Sequence, residues 1–560
     1  MSKRKFTGRD SIMKDYYIDI HCHSTAKPFG KSVASAYRNI ADPLYPNSIW
    51  FYSPASEGDI QLNKSWGLTA FNQGDFTSLA KGNVRVVCVP FGPLEQGFVT
   101  IRKKGTYNFK QDWGFIGPFA RKVANNVKLL FLFFDFVTGM GNAKLEEMRK
   151  RNNNSNYFHE LDLEYKYLQR ITEQPIFIHG SPDKQPWTYF IAKDFNHLDE
   201  VLKNNSHAIG VIPTIEGAYA FGSNLDTTKM SLKDSEKKQI IDSVKKVKNW
   251  ESPPLFITFA CHFNNQLCGH AASCPKYLKL FLDFLSGQDR DFTKFGEEIV
   301  RLLLDEKEGK RILIDIKHMS WKSRKTYISI LDEYNKKKNR EGKYDRYKRF
   351  EERIPIIVSH GCVTGISHRK KKWYKRKKTN FIIEDINIYD EEIKEIFRTG
   401  GLLGIQLDER VIAKKKNKSN KKKLRKLRRI LKNLNPNILG YDTMKKDLEE
   451  RICQARAEPV WNQLQHIAKV LDGTHEEDYA KGQTCWDIAC LGTDYDGHID
   501  PINDYWGTEQ MELLEKDLIS IASNRLKEWT PSKKQNQLPA EEIVTKFMHS
   551  NTNDFLRRNF

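Results

Sequence analysis

Two histidines one residue apart, His21 and His23, follow the alternating stretch Tyr17-Ile18-Asp19-Ile20. An extended strand sends successive side chains to opposite faces, so both imidazoles point one way and Cys22 points the other. Side by side at a strand end, they can hold one metal ion without distorting the backbone. Taken alone, such a pair is more often a couple of surface or core histidines. A series of similar endings further along gives it weight. Ala208 to Glu216, Pro254 to His262, Arg311 to His318, Ile354 to His360 and Ile488 to Asp494 are apolar runs that each finish on an acid or a histidine.

Two divalent ions about 3.5–4 Å apart need roughly five or six ligands, ideally with one carboxylate bridging. His21, His23, Glu216, His318 and His360 supply that set, and Glu216, as its only acid, is the natural bridge. An imidazole-rich set with carboxylate support suits zinc, with manganese, iron or nickel as alternatives. Water held between two such ions loses a proton near neutral pH and becomes a nucleophile. Asp494 can take that proton and pass it to a leaving group. His262, aimed at the same mouth, can stabilise a developing oxyanion. Asp496 is close enough to Asp494 to exchange roles with it. Cys22, Cys261 and Cys362 adjoin these residues but are expected to face into the packing.

The elements that must position these groups are read from apolar rhythm. Strands are expected at 16–21, 84–91, 209–216, 255–262, 311–318, 355–360, 401–407 and 488–494. Amphipathic helices are expected from Phe292 (capped near Asp291 or Thr293), from Ser320 to Lys336, and around Asp390 to Phe397. Strands alternating with helices argue for parallel βαβ units, and eight of them for an α/β fold of the (β/α)8, TIM-like barrel type. In that fold functional residues gather at the carboxyl ends of the strands. Such a barrel makes one domain of residues 14–560, with large loop insertions: 92–205, a basic loop at 367–379, and a basic and helical stretch at 408–480. The first of these includes an expected helix from Leu145 to Gln169 and is a candidate lid.

The chain has 560 residues, 39% of them hydrophobic, enough for a large core rather than a disordered polymer. Its nine cysteines include no CxxC pair, so neither a zinc ribbon nor a disulfide framework is indicated. No apolar signal segment follows the basic amino terminus. The apolar stretch Leu129 to Val137 is too short to span a bilayer. A cytoplasmic protein with reduced thiols and no transmembrane segment is expected. Much of the net charge of +21 lies in two runs, Arg369–Lys378 and Lys414–Lys432. They are either solvated, partly disordered loops or a positive rim for an anionic partner: a phosphate-bearing ligand, nucleic acid or an acidic membrane surface.

In series, these segments resemble the membrane (renal) dipeptidase family of amidohydrolase-like, metal-dependent hydrolases. The resemblance is carried by Asp19-Ile-His21-Cys-His23, Ile215-Glu216-Gly217-Ala218 and Thr258-Phe-Ala-Cys-His262-Phe-Asn-Asn265. It continues through Phe292 to Val300, Ile314-Asp-Ile-Lys-His318-Met-Ser, Val358-Ser-His360 and Leu491-Gly-Thr-Asp494-Tyr-Asp496-Gly497, and closes on Pro539 to Val544 and Asn553 to Arg557. It implies a (β/α)8 barrel with a two-zinc site. His21 and His23 would hold one ion, Glu216 would bridge, and His318 and His360 would hold the other. His262 would contact substrate and Asp494 would handle protons. Family members are often homodimers. Two positions depart from the pattern. The family usually has Asp where this chain has His23, and its substrate-binding Arg aligns with Ile386 or Thr379. The resemblance therefore carries metal-assisted hydrolysis of a small substrate further than it carries dipeptide cleavage.

The leading expectation is a dinuclear-metal hydrolase acting on an amide or related carbonyl bond. A phosphoester hydrolase on the same metals is the alternative enzyme. A barrel that has become a binding module for nucleic acid or another partner is the alternative from a different class.

Overall fold

The computed structural model describes residues 16–33, 40–67, 69–98, 139–141, 143–144, 146–147, 156–178, 184–222, 231–273, 284–369, 379–414, 418–475 and 479–560. Eight strands form its centre: β1 (Tyr17–Asp19), β2 (Val84–Phe91), β3 (Ala208–Glu216), β4 (Phe256–Thr258), β5 (Leu313–Asp315), β6 (Ile357–Gly361), β7 (Leu402–Ile405) and β8 (Ala489–Leu491). Each pairs in parallel with the next. The ring closes where Ile20 N donates to Leu491 O (3.0 Å) and Asp494 N donates to His21 O (2.9 Å). The fold is a (β/α)8 barrel, as the alternating pattern predicts. An additional strand, Thr188–Ile191, pairs with the amino-terminal half of β3.

Helices return the chain between strands: α1 (Phe76–Lys81), α2 (Phe195–Asn204), α3 (Asp234–Lys248), α4 (Lys294–Leu304), α5 (Trp321–Asn335), α6 (Asp390–Arg398), α7 (Tyr441–Asp472) and α8 (Met511–Glu528). Side-chain caps fix several starts. Thr293 accepts from Gly296 N, Ser320 from Ser323 N and Asp75 from Ser78 N, each satisfying an amide that the helix itself leaves unpaired. Strand and helix side chains merge into one core, with Ile18, Val87, Ile212, Ile257, Ile314, Val358, Leu403 and Leu491 all buried.

Several strands are shorter than the apolar runs suggest, and two buried carboxylates account for it. Asp19 Oδ1 accepts from His21 N and Thr493 N, each at 3.1 Å. Asp315 Oδ1 accepts from Lys317 N (2.9 Å) and Ser359 N (3.1 Å). A side chain thus replaces the ladder bonds at the carboxyl ends of β1 and β5, and the chain leaves the sheet there.

Three expectations change or pass out of view. Of the helix expected from Leu145 to Gln169, Glu146 and Glu147 are helical, residues 148–155 lie outside the described residues, and a separate helix capped by Asn156 spans Tyr157–Gln169. Leu129–Val137 and Lys370–Lys378 lie outside the described residues, as do residues 99–138, 148–155 and 179–183 of the candidate lid. The second basic run is a helix (Lys418–Lys432), not a loop, because Leu424, Leu427 and Leu431 share one face and pack on α7. Among the described residues no helix is long and apolar enough to cross a membrane. The eight described cysteines form no disulfide, and Cys22, Cys261 and Cys362 are buried as expected.

Candidate active site

The barrel brings His21, His23, Glu216, His318, His360 and Asp494 to one point at the carboxyl ends of its strands. His21 Nε2 and His23 Nε2 are 3.1 Å apart, and His318 Nε2 and His360 Nε2 are 3.3 Å apart. Glu216 lies between the pairs. Its Oε2 is 3.1 Å from His23 and 3.9 Å from His21, while its Oε1 is 3.3 Å from His318 and 3.8 Å from His360. Asp494 Oδ1 closes the first group, 3.3 Å from His23 and 3.8 Å from His21. His21 stacks on His360 with ring centroids 3.9 Å apart, so the two halves share a wall.

Local backbone serves this convergence. His318 and Asp494 both adopt left-handed conformations, with φ of 63° and 60°. Such a conformation is uncommon for residues with a side chain and clusters where function holds it. Gly497 is required for a steric reason: a Cβ there would lie 2.0 Å from Asp494 Oδ1 and 2.9 Å from the His23 ring.

Burial and neighbouring charge set the protonation states. Burial pushes His21 and His360 well below the usual imidazole range and lowers His318. These are neutral imidazoles, the form a metal ligand must have. Burial alone would lower His23 too, but hydrogen bonds to Asp494 and Glu216 outweigh it and lift the group to about 10, so His23 would release a proton on binding an ion. Burial alone would raise Glu216, yet the hydrogen bond to His23 and its charge hold that carboxylate well below its ordinary range. Asp494 is pushed up to about 6, chiefly by burial.

A second layer orients the first. Ser359 Oγ donates to Asp315 Oδ2 (2.5 Å) and lies 2.8 Å from His360 Nδ1. Its one proton is committed to Asp315, so Ser359 accepts from His360 Nδ1–H and leaves Nε2 deprotonated toward Glu216. Gln406 Nε2 donates to Asp494 Oδ2 at 2.6 Å, and Gln406 Oε1 accepts from the buried Lys317 Nζ at 3.3 Å. Lysine can only donate, which fixes the orientation of the Gln406 amide. Glu95 accepts from the backbone of His262 and Phe263, both at 3.1 Å, and pins the loop after β4. Glu164, on the Tyr157–Gln169 helix, accepts from Thr25 Oγ1 at 2.6 Å, tying the insertion to the loop that follows His23.

His262 lies beside the second pair, its ring centroid 5.0 Å from that of His318, and its Nδ1 is 2.7 Å from Ser273 Oγ. Asp496, expected to be interchangeable with Asp494, is not. Its carboxylate is held by Lys27 Nζ at 2.7 Å and by the amides of Gln73 and Gly74, so it anchors the loop instead. Ile386 is buried, and Asn387 Nδ2 donates to Ile382 O and Val411 O, so this segment braces the rim. The supporting residues Ser359, Gln406, Lys317, Glu95 and Glu164 escape a reading of strand endings, because their signal is a partner distant in the chain. Only Ser359 and Lys317 adjoin expected ligands, His360 and His318.

No family model and no curated protein matches the sequence. Among solved structures, a dipeptidase described as a metallo peptidase is 11% identical over 97% of this chain and 98% of its own, with a TM-score of 0.44. A metallo peptidase from Rhodobacter sphaeroides, liganded with a phosphinate mimic of the dipeptide L-Ala-D-Ala, is 10% identical over 97% and 99%, with a TM-score of 0.43. The probable dipeptidase PvdM from Pseudomonas aeruginosa is 12% identical over 87% and 88%, with a TM-score of 0.39. The solved structures that this chain resembles thus include metallopeptidases of the dipeptidase type, together with an amidohydrolase.

Proposed function

We propose that the protein is a dinuclear-metal hydrolase that cleaves an amide bond in a small substrate. The observation that carries this reading is the division of Glu216, one oxygen toward each histidine pair. Donors about 2.0–2.1 Å from a tetrahedral ion lie about 3.3 Å from one another. The separations between 3.1 and 3.9 Å found here fit the edges of such a polyhedron. His21, His23, Asp494 and Glu216 would hold one ion. His318, His360 and Glu216 would hold the other and leave a position for substrate. The nitrogen-rich set suits zinc. Ions bound there would acidify a water molecule and polarise a carbonyl.

The protein's own groups do the rest. Gln406 occupies Asp494 Oδ2, so Oδ1, on the metal side, is the atom that can take a proton from the attacking water and return it to the leaving amine. Burial and the neighbouring His318 push His262 down to about 3, so a neutral imidazole stands beside the second pair, where an N–H can stabilise charge developing on the carbonyl oxygen. The test is metal content by mass spectrometry, followed by turnover of dipeptides, other small amides and phosphodiesters by the loaded protein. About two ions per chain with amide turnover is the expected result. Faster phosphodiester turnover would transfer the same metals to phosphoester chemistry. A protein that takes up no stoichiometric metal and turns over neither class would end the proposal.

A further inference from the structure

The sequence after β7 builds an antiparallel helical hairpin whose charge and apolar tip the barrel chemistry does not use. Its first arm, the helix Lys418–Lys432, carries nine Lys or Arg and no acid. Leu424 and Leu427 bury against Leu448, Ile452 and Ala455 of α7, forming a small core separate from that of the barrel. This contact fixes which face looks outward: Lys423, Arg425, Lys426, Arg429 and Lys432 are all exposed. Arg428 is engaged by Asp504.

At the turn between the arms, apolar side chains stand in solvent. Leu439 is fully exposed, and Ile430, Ile438 and Met444 are 40%, 36% and 46% exposed. These are four of the nine large hydrophobic residues exposed among the described residues, gathered within fifteen positions. The geometry also gives the tip a direction. The second half of α7, from Ala457 to Leu471, packs into the barrel core, and Glu450 and Arg456 bond to Asn524 and Asp517 of α8, whereas residues 441–449 run on for roughly 13 Å beyond these contacts. Outer helices of a (β/α)8 barrel run antiparallel to its strands, so the amino terminus of α7 lies on the side of the strand carboxyl ends. The tip stands on the face that carries the candidate site.

We propose that this hairpin docks on an anionic lipid surface. A row of cations is drawn to acidic headgroups, and apolar side chains just beyond it enter the headgroup boundary; the combination is that of an interfacial anchor. Nucleic acid would use the cations equally well but gives Leu439 and Ile438 no apolar medium. Docking in this way turns the barrel mouth toward the bilayer.

The experiment is flotation of the full chain with phosphatidylcholine vesicles, with and without 30% phosphatidylserine, at low and high salt. Wild type should bind only the phosphatidylserine vesicles and detach as salt rises. Lys426→Gln/Arg429→Gln/Lys432→Gln should weaken binding roughly 100-fold, since each cation near the surface contributes about a factor of five. Ile438→Ser/Leu439→Ser should weaken it while keeping the salt dependence. Equal circular dichroism and melting of the variants shows that they fold. Should either variant fail this check, Leu439→Ser alone and Lys426→Gln alone give smaller losses of the same kind. Absence of binding to phosphatidylserine vesicles at low salt overturns the proposal. So does binding that neither variant changes. Tighter binding to single-stranded DNA, indifferent to Ile438→Ser/Leu439→Ser, assigns the surface to nucleic acid instead. Self-association in the absence of vesicles, abolished by Leu439→Ser, assigns the tip to a second copy of this chain.

Discussion

His23 and His318 face opposite oxygens of one carboxylate, His23 at 3.1 Å from Glu216 Oε2 and His318 at 3.3 Å from Oε1. The relationship makes the two halves of the site unequal in what each substitution removes. His318→Ala should lower bound metal from about two ions per chain to about one, whereas Glu216→Ala, which takes a ligand from both halves, should abolish stoichiometric binding. Mass spectrometry of the purified variants beside wild type decides this. Equal residual metal in the two variants would contradict a bridging carboxylate.

His360 depends on Ser359 for its tautomer. With the Ser359 proton committed to Asp315 at 2.5 Å, removing the hydroxyl takes the partner from His360 Nδ1 and leaves a buried carboxylate short of a donor. Ser359→Ala is expected to weaken metal affinity about 10–100-fold without altering the fold, the range typical of outer-layer partners of ligating histidines. Competition against a chelator of known affinity measures it. Affinity unchanged within about twofold would show that His360 needs no such orientation.

Much of this arrangement is legible before folding, and the reason is geometric. A parallel barrel strand carries its apolar run up to the mouth and then presents its first costly polar residue there. An apolar run that ends on His or Glu, as in Ile215-Glu216 or Ser359-His360, therefore locates both a strand and a site residue. What stays hidden depends on contacts between distant segments. Asp19 reads as one more residue of a strand, yet its carboxylate accepts from Thr493 Oγ1 at 2.5 Å, 474 positions away. Asp494 and Asp496 look equivalent in sequence because the groups that distinguish them, Lys27 on the helix Ala26–Ser32 with the Gln73 and Gly74 amides for Asp496 and Gln406 for Asp494, are distant in the chain. The basic run at Lys418–Lys432 reads as a solvated loop because its charge masks three leucines at helical spacing.

That distinction yields a stability prediction. Lys27 and Asp496 are paired at 2.7 Å with side chains 2% and 4% exposed, and Lys27 Nζ also donates to Phe71 O at 2.5 Å. Removing one partner strands the other charge in the interior. Lys27→Met should destabilise the fold by roughly 3–5 kcal/mol, and the double variant Lys27→Met/Asp496→Leu should recover part of that loss. Chemical denaturation of wild type, single and double variants forms the test. A single variant as stable as wild type would mean that water reaches Asp496 and the pair is dispensable.

Asp75 provides a pH signature away from the site. It caps α1, accepting from Ser78 N at 3.0 Å and from Ser78 Oγ at 2.6 Å, yet burial, with Asp496 and Glu509 nearby, pushes it up to about 7. A carboxyl raised above its unfolded value near 3.8 binds its proton more tightly when folded. Its contribution to stability is fully present below about pH 4 and is lost as pH rises toward 7, beyond which a buried charge is carried. Asn at this position keeps an acceptor for Ser78 N and never ionises. Asp75→Asn should therefore be more stable than wild type at pH 8, by up to about 4 kcal/mol, with the advantage shrinking steadily toward pH 5. Denaturation curves of both proteins at several pH values between 5 and 8 decide the matter. A difference between the two proteins that stays constant from pH 5 to pH 8 would mean that Asp75 is ionised in the folded protein throughout this range, and that the cap, not burial, governs it.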